Sequence, residues 1–307
     1  MTGARIIGWG TALPEKVVTN DDLAQTLDTS DAWIRERTGI AERRIGGSTA
    51  GLSVQAAQAA MSKANVSPDD IDLLVLSTTT ADQLFPATAS VVQAELGLTC
   101  GAFDLNAACS GFAYGLVTAS AMVNAGFETI LVIGADTLSR FVNWDDRGSA
   151  ILFGDGAGAI VLQASDEQHI LGSDLGSDGT AAGILFCEHG GKIEMEGREV
   201  FRRAVRAMVG SGHRAMDQAG VTPADIDWVV PHQANTRIID SACSKLGFRP
   251  EQAIDVLHYT GNTSSASIPL ALGAAADDGR IASGDLLLFV GFGAGMTWAA
   301  TVVRWNP

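Results

Sequence analysis

Ala64–Val75 reads ANVSPDDIDLLV, and Ala219–Val230 repeats the pattern as AGVTPADIDWVV, 155 residues further along the chain. In each copy a Pro- and Asp-containing turn separates the end of a helix from an apolar run typical of a buried strand. A period of half the 307-residue chain is too long for a solenoid repeat. It indicates two copies of one α/β unit, which we place at residues 1–165 and 166–307.

Strands alternate with helices on both sides of this repeat, which predicts α/β sheets covered on both faces. The sheets are expected to stack between helical layers. No Pro-rich or low-complexity linker separates the two halves, so we expect one compact body. The clearest predicted strands are 4–10, 101–105 and 129–135, and the clearest helices are 53–64 and 88–96.

Composition excludes several classes of protein. The net charge of −15 argues against a general nucleic-acid binder. No apolar run reaches eighteen residues, and the N-terminus lacks a signal-peptide pattern, so a cytoplasmic location is the default expectation. Cys100, Cys109, Cys187 and Cys243 form no CxxC pair and no cluster with histidine. We therefore expect neither structural zinc nor a disulfide framework.

Cys109 is the first candidate for chemistry. It lies between the predicted strand at 101–105 and a predicted helix that runs to Gly126. At such a turn, unpaired N–H groups and the helix dipole favour an anion, and a thiolate is the nucleophilic form of cysteine. The alternative is a small buried hydrophobic residue.

Two further polar residues follow the second copy of the repeat. His232 lies at the carboxyl end of its strand, before a predicted helix at 234–245, where α/β proteins often build sites. The alternative is a core or loop histidine. Asn262 lies in the segment Tyr259–Pro269, rich in small hydroxyl residues, and could donate a hydrogen bond without titrating. A plain capping turn would explain that segment equally well.

Two glycine-rich segments could expose backbone N–H groups. Gly291–Gly295 lies between predicted strands at 285–290 and 297–303, and could bind a developing oxyanion or form only a tight turn. Neither this segment nor Gly154–Gly158 fits a dinucleotide fingerprint, because a strand and not a helix follows each. A nicotinamide site is therefore not expected.

One predicted helix carries a basic stripe on this acidic chain. Arg198, Arg202 and Arg206 are spaced four residues apart, and Arg203 lies beside them. Such a stripe is either a solvated surface or a docking site for an anionic partner.

Taken together, these features resemble the thiolase-fold condensing enzymes, and most closely the β-ketoacyl-[acyl-carrier-protein] synthase III family. The similarity covers nearly the whole chain, and its motifs occur in the family's order. They are Thr29–Ile40, Ala107–Phe112, Phe153–Ala159, Pro231–Asn235 and Gly261–Ser264.

The resemblance implies a duplicated, layered αβαβα fold with two pseudo-symmetric halves and a two-stage Claisen condensation that initiates fatty acid biosynthesis. Cys109 would take an acyl group from acyl-CoA, and malonyl-acyl-carrier protein would then lose CO₂ and attack it. His232 and Asn262 would be neutral donors to the malonyl thioester oxygen. The backbone N–H groups of Cys109 and Ala294 would form the oxyanion hole. No metal or other cofactor is implied.

The same resemblance implies three binding regions and a homodimer. Coenzyme A would contact Thr29, Trp33, Arg37 and Arg147. The acidic carrier protein would dock on Arg202, Arg203, Arg206 and Arg237. Phe85 would reach across a dimer interface to the partner's acyl pocket.

Some features leave the substrate open. Ala294 stands where glycine is common, Asn106 adds a polar group beside the cysteine, and the segment at 174–192 is compact for a region that shapes the acyl pocket. Primer length and branching therefore stay undecided. A related condensing or acyl-transfer enzyme of secondary metabolism is the main alternative. A non-catalytic carrier-binding protein is a third hypothesis, against which intact Cys109, His232 and Asn262 argue.

Overall fold

Two β-sheets form the frame of the computed structural model, which describes residues 3–307. Met1 and Thr2 lie outside the described residues. They are the first residues of the N-terminal segment in which no signal peptide is expected. Within that range the strands are β1 (Gly3–Ala12), β2 (Val17–Thr19), β3 (Glu42–Arg44), β4 (Leu73–Ser77), β5 (Gly101–Leu105), β6 (Thr129–Thr137), β7 (Asp155–Ser165), β8 (Ile170–Ser177), β9 (Leu185–Cys187), β10 (Ile193–Met195), β11 (Trp228–Pro231), β12 (Leu286–Gly293) and β13 (Thr297–Arg304). The α-helices are α1 (Asn20–Ala24), α2 (Asp31–Thr38), α3 (Thr49–Ala64), α4 (Thr88–Glu95), α5 (Gly111–Asn124), α6 (Arg147–Ala150), α7 (Gly197–Ala219), α8 (Thr236–Leu246), α9 (Leu257–Thr260) and α10 (Ser267–Asp277).

The two large sheets share one topology. The first has the order β1-β7-β6-β4-β5, with β4 parallel to β5 and β6, and β7 antiparallel to β6 and β1. The second has the order β8-β13-β12-β11, with β11 parallel to β12, and β13 antiparallel to β12 and β8. A fifth strand is reduced to one parallel bridge between Val229 and Ala253. The matching order confirms the predicted duplication.

Helices α5 and α10 lie between the two sheets. Phe112 and Leu116 from α5 and Ile268 and Leu272 from α10 are fully buried in this central core. Helices α3 and α4 cover the outer face of the first sheet, and α7 and α8 cover that of the second. Each large apolar side chain buried here contributes roughly 1.5–3 kcal/mol, so the α5–α10 layer stabilises the contact between the halves. The predicted layering is confirmed.

In each half, one outer helix packs closely against a strand because the strand has a glycine at the contact. A Cβ on Gly10 of β1 would lie 2.2 Å from the Ala56 carbonyl oxygen of α3. A Cβ on Gly172 of β8 would lie 2.3 Å from the Ala215 carbonyl oxygen of α7. The same device therefore seats the corresponding helix in each half.

Gly291–Gly295 was predicted to lie between two strands and Gly154–Gly158 to precede one, and this was wrong for most of their length. Asp155–Gly158 belongs to β7 and Gly291–Gly293 to β12. At Gly158 the reason is packing, since a Cβ there would lie 2.6 Å from the Cβ of Pro269 in α10. Only residues 294–296 form the turn that joins β12 to β13.

Thr19 caps the short helix α1 through a reciprocal pair of hydrogen bonds with Asp22. Asn20 is buried, and its Oδ1 accepts hydrogen bonds of 2.9 Å from the guanidinium of Arg43. No helix within residues 3–307 is both long and apolar enough to cross a membrane.

Candidate active site

Cys109 lies in a sharp turn between β5 and α5. Ala108 has a left-handed φ of 48°, and a 3-10 turn over Ala108–Ser110 continues into the helix. The residue is partly exposed, yet desolvation raises the pKa of its thiol to about 12. The charge of Asp136 adds to that effect, and a hydrogen bond from Ser264 opposes it. Burial thus favours the thiol form of the resting sulfur.

His232 directly follows β11 and is buried. Its Nδ1 lies 2.6 Å from the Ser267 hydroxyl, and its Nε2 has no hydrogen-bond partner among the described residues. Burial lowers the pKa of the imidazole to about 3, so the ring is neutral near pH 7. A neutral ring whose Nδ1 accepts from Ser267 carries its proton on Nε2. That nitrogen is then available as a donor to a ligand.

Asn262 is held by both its backbone and its side chain. Its N–H donates to the Leu152 carbonyl at 2.8 Å, and its carbonyl accepts from Gly154 N–H at 3.0 Å. The side-chain Oδ1 accepts from Ser264 N–H at 2.9 Å. Because Oδ1 is engaged, the amide is oriented and Nδ2 is the group that can donate.

These three residues come from distant segments; Cys109 and His232 meet at Gly291 of β12, and Ser264 links Asn262 to Cys109. A Cβ on Gly291 would lie 3.3 Å from the Cβ of His232 and 3.8 Å from the Cys109 carbonyl oxygen. Ser264, two residues after Asn262, hydrogen-bonds the Cys109 thiol. The structure therefore gathers a thiol and two neutral donors in one place.

The turn that contains Ala294 lies against the cysteine. At the end of β12, a Cβ on Gly293 would lie only 2.6 Å from the Cys109 nitrogen. Only glycine allows this approach, which brings the turn that begins at Ala294 close to the backbone of Cys109.

Sequence reasoning missed Asp136, a fully buried carboxylate at the end of β6. One oxygen accepts from the hydroxyls of Thr78, Thr79 and Thr80 and from the Thr79 N–H. The other accepts from the hydroxyl and the N–H of Ser265, at 2.7 and 3.0 Å. A charged residue next to a predicted buried strand was the available signal, since lone buried carboxylates are rare. Ser267 was missed as well, and nothing local to it signals a histidine partner.

The residues expected to bind coenzyme A form a second group near α2. The guanidinium carbon of Arg147 lies 4.7 Å from the Trp33 ring centroid, and that of Arg37 lies 5.5 Å from it. The hydroxyl of Thr29 is buried with no hydrogen-bond partner in the described part of the chain. A stacked tryptophan flanked by two cations is a suitable surface for an aromatic, anionic ligand.

The basic stripe lies on α7, and its arginines differ in their partners. Arg202 and Arg203 both bond Glu199, and Arg203 also bonds Asp178 at 3.0 Å. Arg206 and Arg237 are exposed, and neither forms an ion pair within the described chain. Of the four predicted docking cations, Arg202 and Arg203 are thus ion-paired within the described chain, whereas Arg206 and Arg237 are not.

Phe85 and its neighbour project from the loop between β4 and α4. Phe85 is 79% exposed and Leu84 is 81% exposed, which is unusual for large apolar side chains.

Over residues 3–307, no group of three or more His, Cys, Asp or Glu side chains is placed to hold a metal ion. The candidate site therefore consists of a cysteine, neutral donors and backbone N–H groups.

Comparison with known proteins identifies the family of this chain. Residues 103–179 match the family model 3-oxoacyl-[acyl-carrier-protein] synthase III, and residues 216–305 match the model of its C-terminal part. The chain is 47% identical to β-ketoacyl-[acyl-carrier-protein] synthase III of Listeria monocytogenes serotype 1/2a (strain 10403S), over 99% of each chain.

Solved structures give the same result. The chain superimposes with a TM-score of 0.97 on 3-oxoacyl-[acyl-carrier-protein] synthase III from Aquifex aeolicus VF5, at 44% identity, covering 99% of this chain and 100% of that one. It also superimposes with a TM-score of 0.95 on the priming β-ketosynthase of the R1128 polyketide pathway, at 35% identity, covering 99% and 96%. With its thiolase-like duplicated fold and full-length similarity, this chain belongs to the β-ketoacyl-[acyl-carrier-protein] synthase III family of acyltransferase-type condensing enzymes.

Proposed function

We propose that this chain condenses an acyl-CoA primer with malonyl-acyl-carrier protein, releasing CO₂ and starting fatty acid biosynthesis. The observation that carries the proposal is the approach of Cys109 to neutral His232 at Gly291, with the oriented Asn262 joined to Cys109 through Ser264. The relatives' names, β-ketoacyl- or 3-oxoacyl-[acyl-carrier-protein] synthase III, support a condensing activity of this class.

In the first step Cys109 attacks the thioester carbonyl of acyl-CoA. A new carbon–sulfur bond forms, the bond to the coenzyme A sulfur breaks, and the departing sulfur takes the proton that Cys109 gives up. The transient oxyanion lies between the N–H groups of Cys109 and Ala294. Each donor of this kind stabilises a transition state by about 3–4 kcal/mol. Because burial favours the thiol form of Cys109, the sulfur has to lose its proton for the attack to proceed.

In the second step the carboxylate of malonyl-acyl-carrier protein leaves as CO₂. The bonding electron pair becomes the enolate of the thioester, and its oxygen accepts hydrogen bonds from His232 Nε2 and Asn262 Nδ2. The enolate carbon then attacks the acyl group, the Cys109–carbon bond breaks, and the sulfur takes up a proton. A neutral histidine suits this task, because it can donate without trapping the enolate by full protonation.

The binding regions follow from the placement of charged residues. Trp33, between Arg37 and Arg147, would stack on the adenine of coenzyme A, with the cations near its phosphates and Thr29 at the same edge. Arg206 and Arg237 would pair with carboxylates of the carrier protein. Arg202 and Arg203 would join them by exchanging Glu199 for carrier carboxylates.

We also propose a homodimer in which Phe85 enters the partner's acyl pocket. Its support is the exposed apolar pair Leu84–Phe85 and the open edge of β5, which pairs only with β4 in the described chain. The division of the halves at 165/166 remains our proposal and is supported by the end of β7 at Ser165.

A role in secondary metabolism is the second candidate. It is favoured by the 35% identity to a priming polyketide synthase. Ala294, which stands where glycine is common in the family, would narrow the space over the nucleophile. Product masses from a primer panel distinguish the two candidates.

The decisive experiment incubates the purified protein with acetyl-, isobutyryl- and longer acyl-CoA and records intact mass. One acyl mass should be added to the wild type and to the control Cys187→Ala, and none to Cys109→Ala. Addition of malonyl-acyl-carrier protein should discharge the acyl-enzyme and yield a β-ketoacyl product. Unchanged labelling of Cys109→Ala would refute the assignment of the nucleophile.

Carrier docking is tested separately by charge reversal. Arg206→Glu and Arg237→Glu should raise the KM for malonyl-acyl-carrier protein several-fold while leaving acyl-CoA labelling unchanged. Arg280→Glu is the control for charge reversal at a distant surface, because Arg280 precedes β12, at the end of that strand opposite the site. An equal rise in KM with the control would refute the proposed surface.

A further inference from the structure

Thr297, the first residue of β13, makes polar contacts with both sides of the oxyanion site. Its hydroxyl oxygen lies 2.8 Å from the Ala107 carbonyl oxygen and 3.2 Å from that of Ala294. It also lies 2.9 Å from the hydroxyl of Ser110. One side chain thus contacts the residues on both sides of Cys109 and the residue that forms the opposite wall.

The number of hydroxyl protons limits which of these contacts can be hydrogen bonds at the same time. Ser110 Oγ lies 2.8 Å from the Ala107 carbonyl, so two hydroxyls face two carbonyls. Each hydroxyl has one proton to donate. Both carbonyls are satisfied at once only when Ser110 donates to Ala107 and Thr297 donates to Ala294. Without the Thr297 hydroxyl, the Ala294 carbonyl loses its side-chain donor.

The contact matters because the two backbone N–H groups proposed for the oxyanion hole lie far apart in the sequence. Cys109 is on the turn before α5, whereas Ala294 is on the turn after β12, and Thr297 and Ala107 are 190 residues apart. Gly293 brings the two backbones together but supplies no polar bond between them. Thr297 is the side chain that ties the second backbone to the first.

We propose that Thr297 is a positioning residue that keeps the Ala294 N–H aligned with the Cys109 N–H for the tetrahedral intermediate. This inference rests on the proposed function. It assigns no contact with substrate to Thr297, which acts only through the two backbone segments.

The test compares two reactions of the same sulfur. Transfer of an acyl group from acetyl-CoA passes through an oxyanion, whereas alkylation by iodoacetamide does not. Removing an oxyanion donor outright costs about 10²–10³ in rate, so misaligning one by Thr297→Val should slow acylation about tenfold or more. Alkylation of Cys109, followed by peptide mass spectrometry, should keep its wild-type rate.

Two further variants make the test specific. Thr297→Ser keeps the hydroxyl and should restore acylation to within about threefold of the wild type. Thr301→Val removes a buried hydroxyl from the same strand, one that has no hydrogen-bond partner within residues 3–307. It should leave both reactions unchanged, which controls for the loss of a threonine hydroxyl from β13.

Each other outcome counts against the proposal. Wild-type acylation in Thr297→Val would overturn it, and so would an equal loss of acylation and alkylation. A Thr297→Ser variant as slow as Thr297→Val would show that the hydroxyl is not the active group. A wild-type protein that gains no acyl mass would instead overturn the proposed function, and with it the role of Thr297.

Discussion

The two halves contain the same backbone turn with different contents. In the first, Ala108 at φ 48° begins a 3-10 turn that presents Cys109 and leads into α5. In the second, Ser264 at φ 52° begins a 3-10 turn that presents Ser265 and leads into α10. Cys109 is partly exposed, whereas Ser265 is buried and bonds both Asp136 and the Ser77 carbonyl.

The difference shows that a strained turn at a helix start does not by itself make a nucleophile. The second turn has the backbone of the first, but its side chain is fully engaged as a structural group. The polar residues of the second turn support the first instead. Ser264 contacts the Cys109 thiol and orients Asn262, and Ser267 contacts His232.

Replacing Cys109 by serine gives both turns the same side chain and should have the largest effect. We expect Cys109→Ser to lose at least about 10³-fold in acylation rate, because a serine hydroxyl without a base is a weak nucleophile. Mass mapping after incubation with acetyl-CoA should find no acyl group on Ser265. Acylation of Ser265 would contradict the comparison.

The pH dependence of Cys109 measures how strongly its surroundings suppress the thiolate. With a pKa of about 12, the thiolate fraction rises tenfold per pH unit below that value. Alkylation by iodoacetamide should therefore increase about 100-fold from pH 7 to pH 9 without levelling off. Since the folded pKa is raised, this group's contribution to stability is complete below the unfolded value and is lost as pH rises towards 12. An inflection in the alkylation rate between pH 5 and 8 would contradict a raised pKa for Cys109.

Asp136→Asn replaces the carboxylate that accepts hydrogen bonds from Ser265 in the second turn. An amide at this site faces donors with a donor, so the free energy of unfolding should fall by about 2–3 kcal/mol. Denaturant melts measure this loss, and Asp69→Asn, at an exposed position, is the control with no expected change. A stability equal to the wild type would show that the carboxylate is not required.

Ser267 occupies the place in the second turn that Gly111 occupies in the first. Ser267→Ala removes the partner of His232 Nδ1 and frees the ring to adopt either tautomer. We expect malonyl decarboxylation to slow about tenfold, with acylation of Cys109 within about twofold of the wild type. Equal loss in both reactions would contradict a role restricted to His232.

The smallest expected effect concerns the strained residue of each turn. Ala108→Gly should relieve the left-handed φ and stabilise the protein by about 0.5–1 kcal/mol in thermal unfolding. Ser264→Gly relieves the same strain but removes the hydroxyl that contacts Cys109, so it should also raise the pKa of that thiol further. A smaller gain for Ala108→Gly than for Ser264→Gly would contradict this difference.

Sequence predicted what depends on local pattern. The repeat located both sheets, because a Pro-Asp turn before an apolar run is decided by neighbouring residues. The motifs placed Cys109, His232 and Asn262 at element ends that the structure brings together.

What sequence missed depends on partners far along the chain. Gly158 resembles a loop residue until Pro269 packs against it, 111 positions later in the sequence. Asp136 and Ser265 are 129 residues apart. Arg203 was grouped with the docking cations, and its bond to Asp178 has no local signal.

The 190-residue span between Thr297 and Ala107 has a consequence for how the enzyme matures. Closing a loop of that length costs on the order of 4–5 kcal/mol in chain entropy, so contacts of this kind form late in folding. Each half can build its own sheet from nearer contacts, but neither half alone contains both walls around Cys109. During refolding, helical signal should return before the capacity to accept an acyl group. Recovery of the capacity to accept an acyl group would then mark the formation of the last long-range contacts.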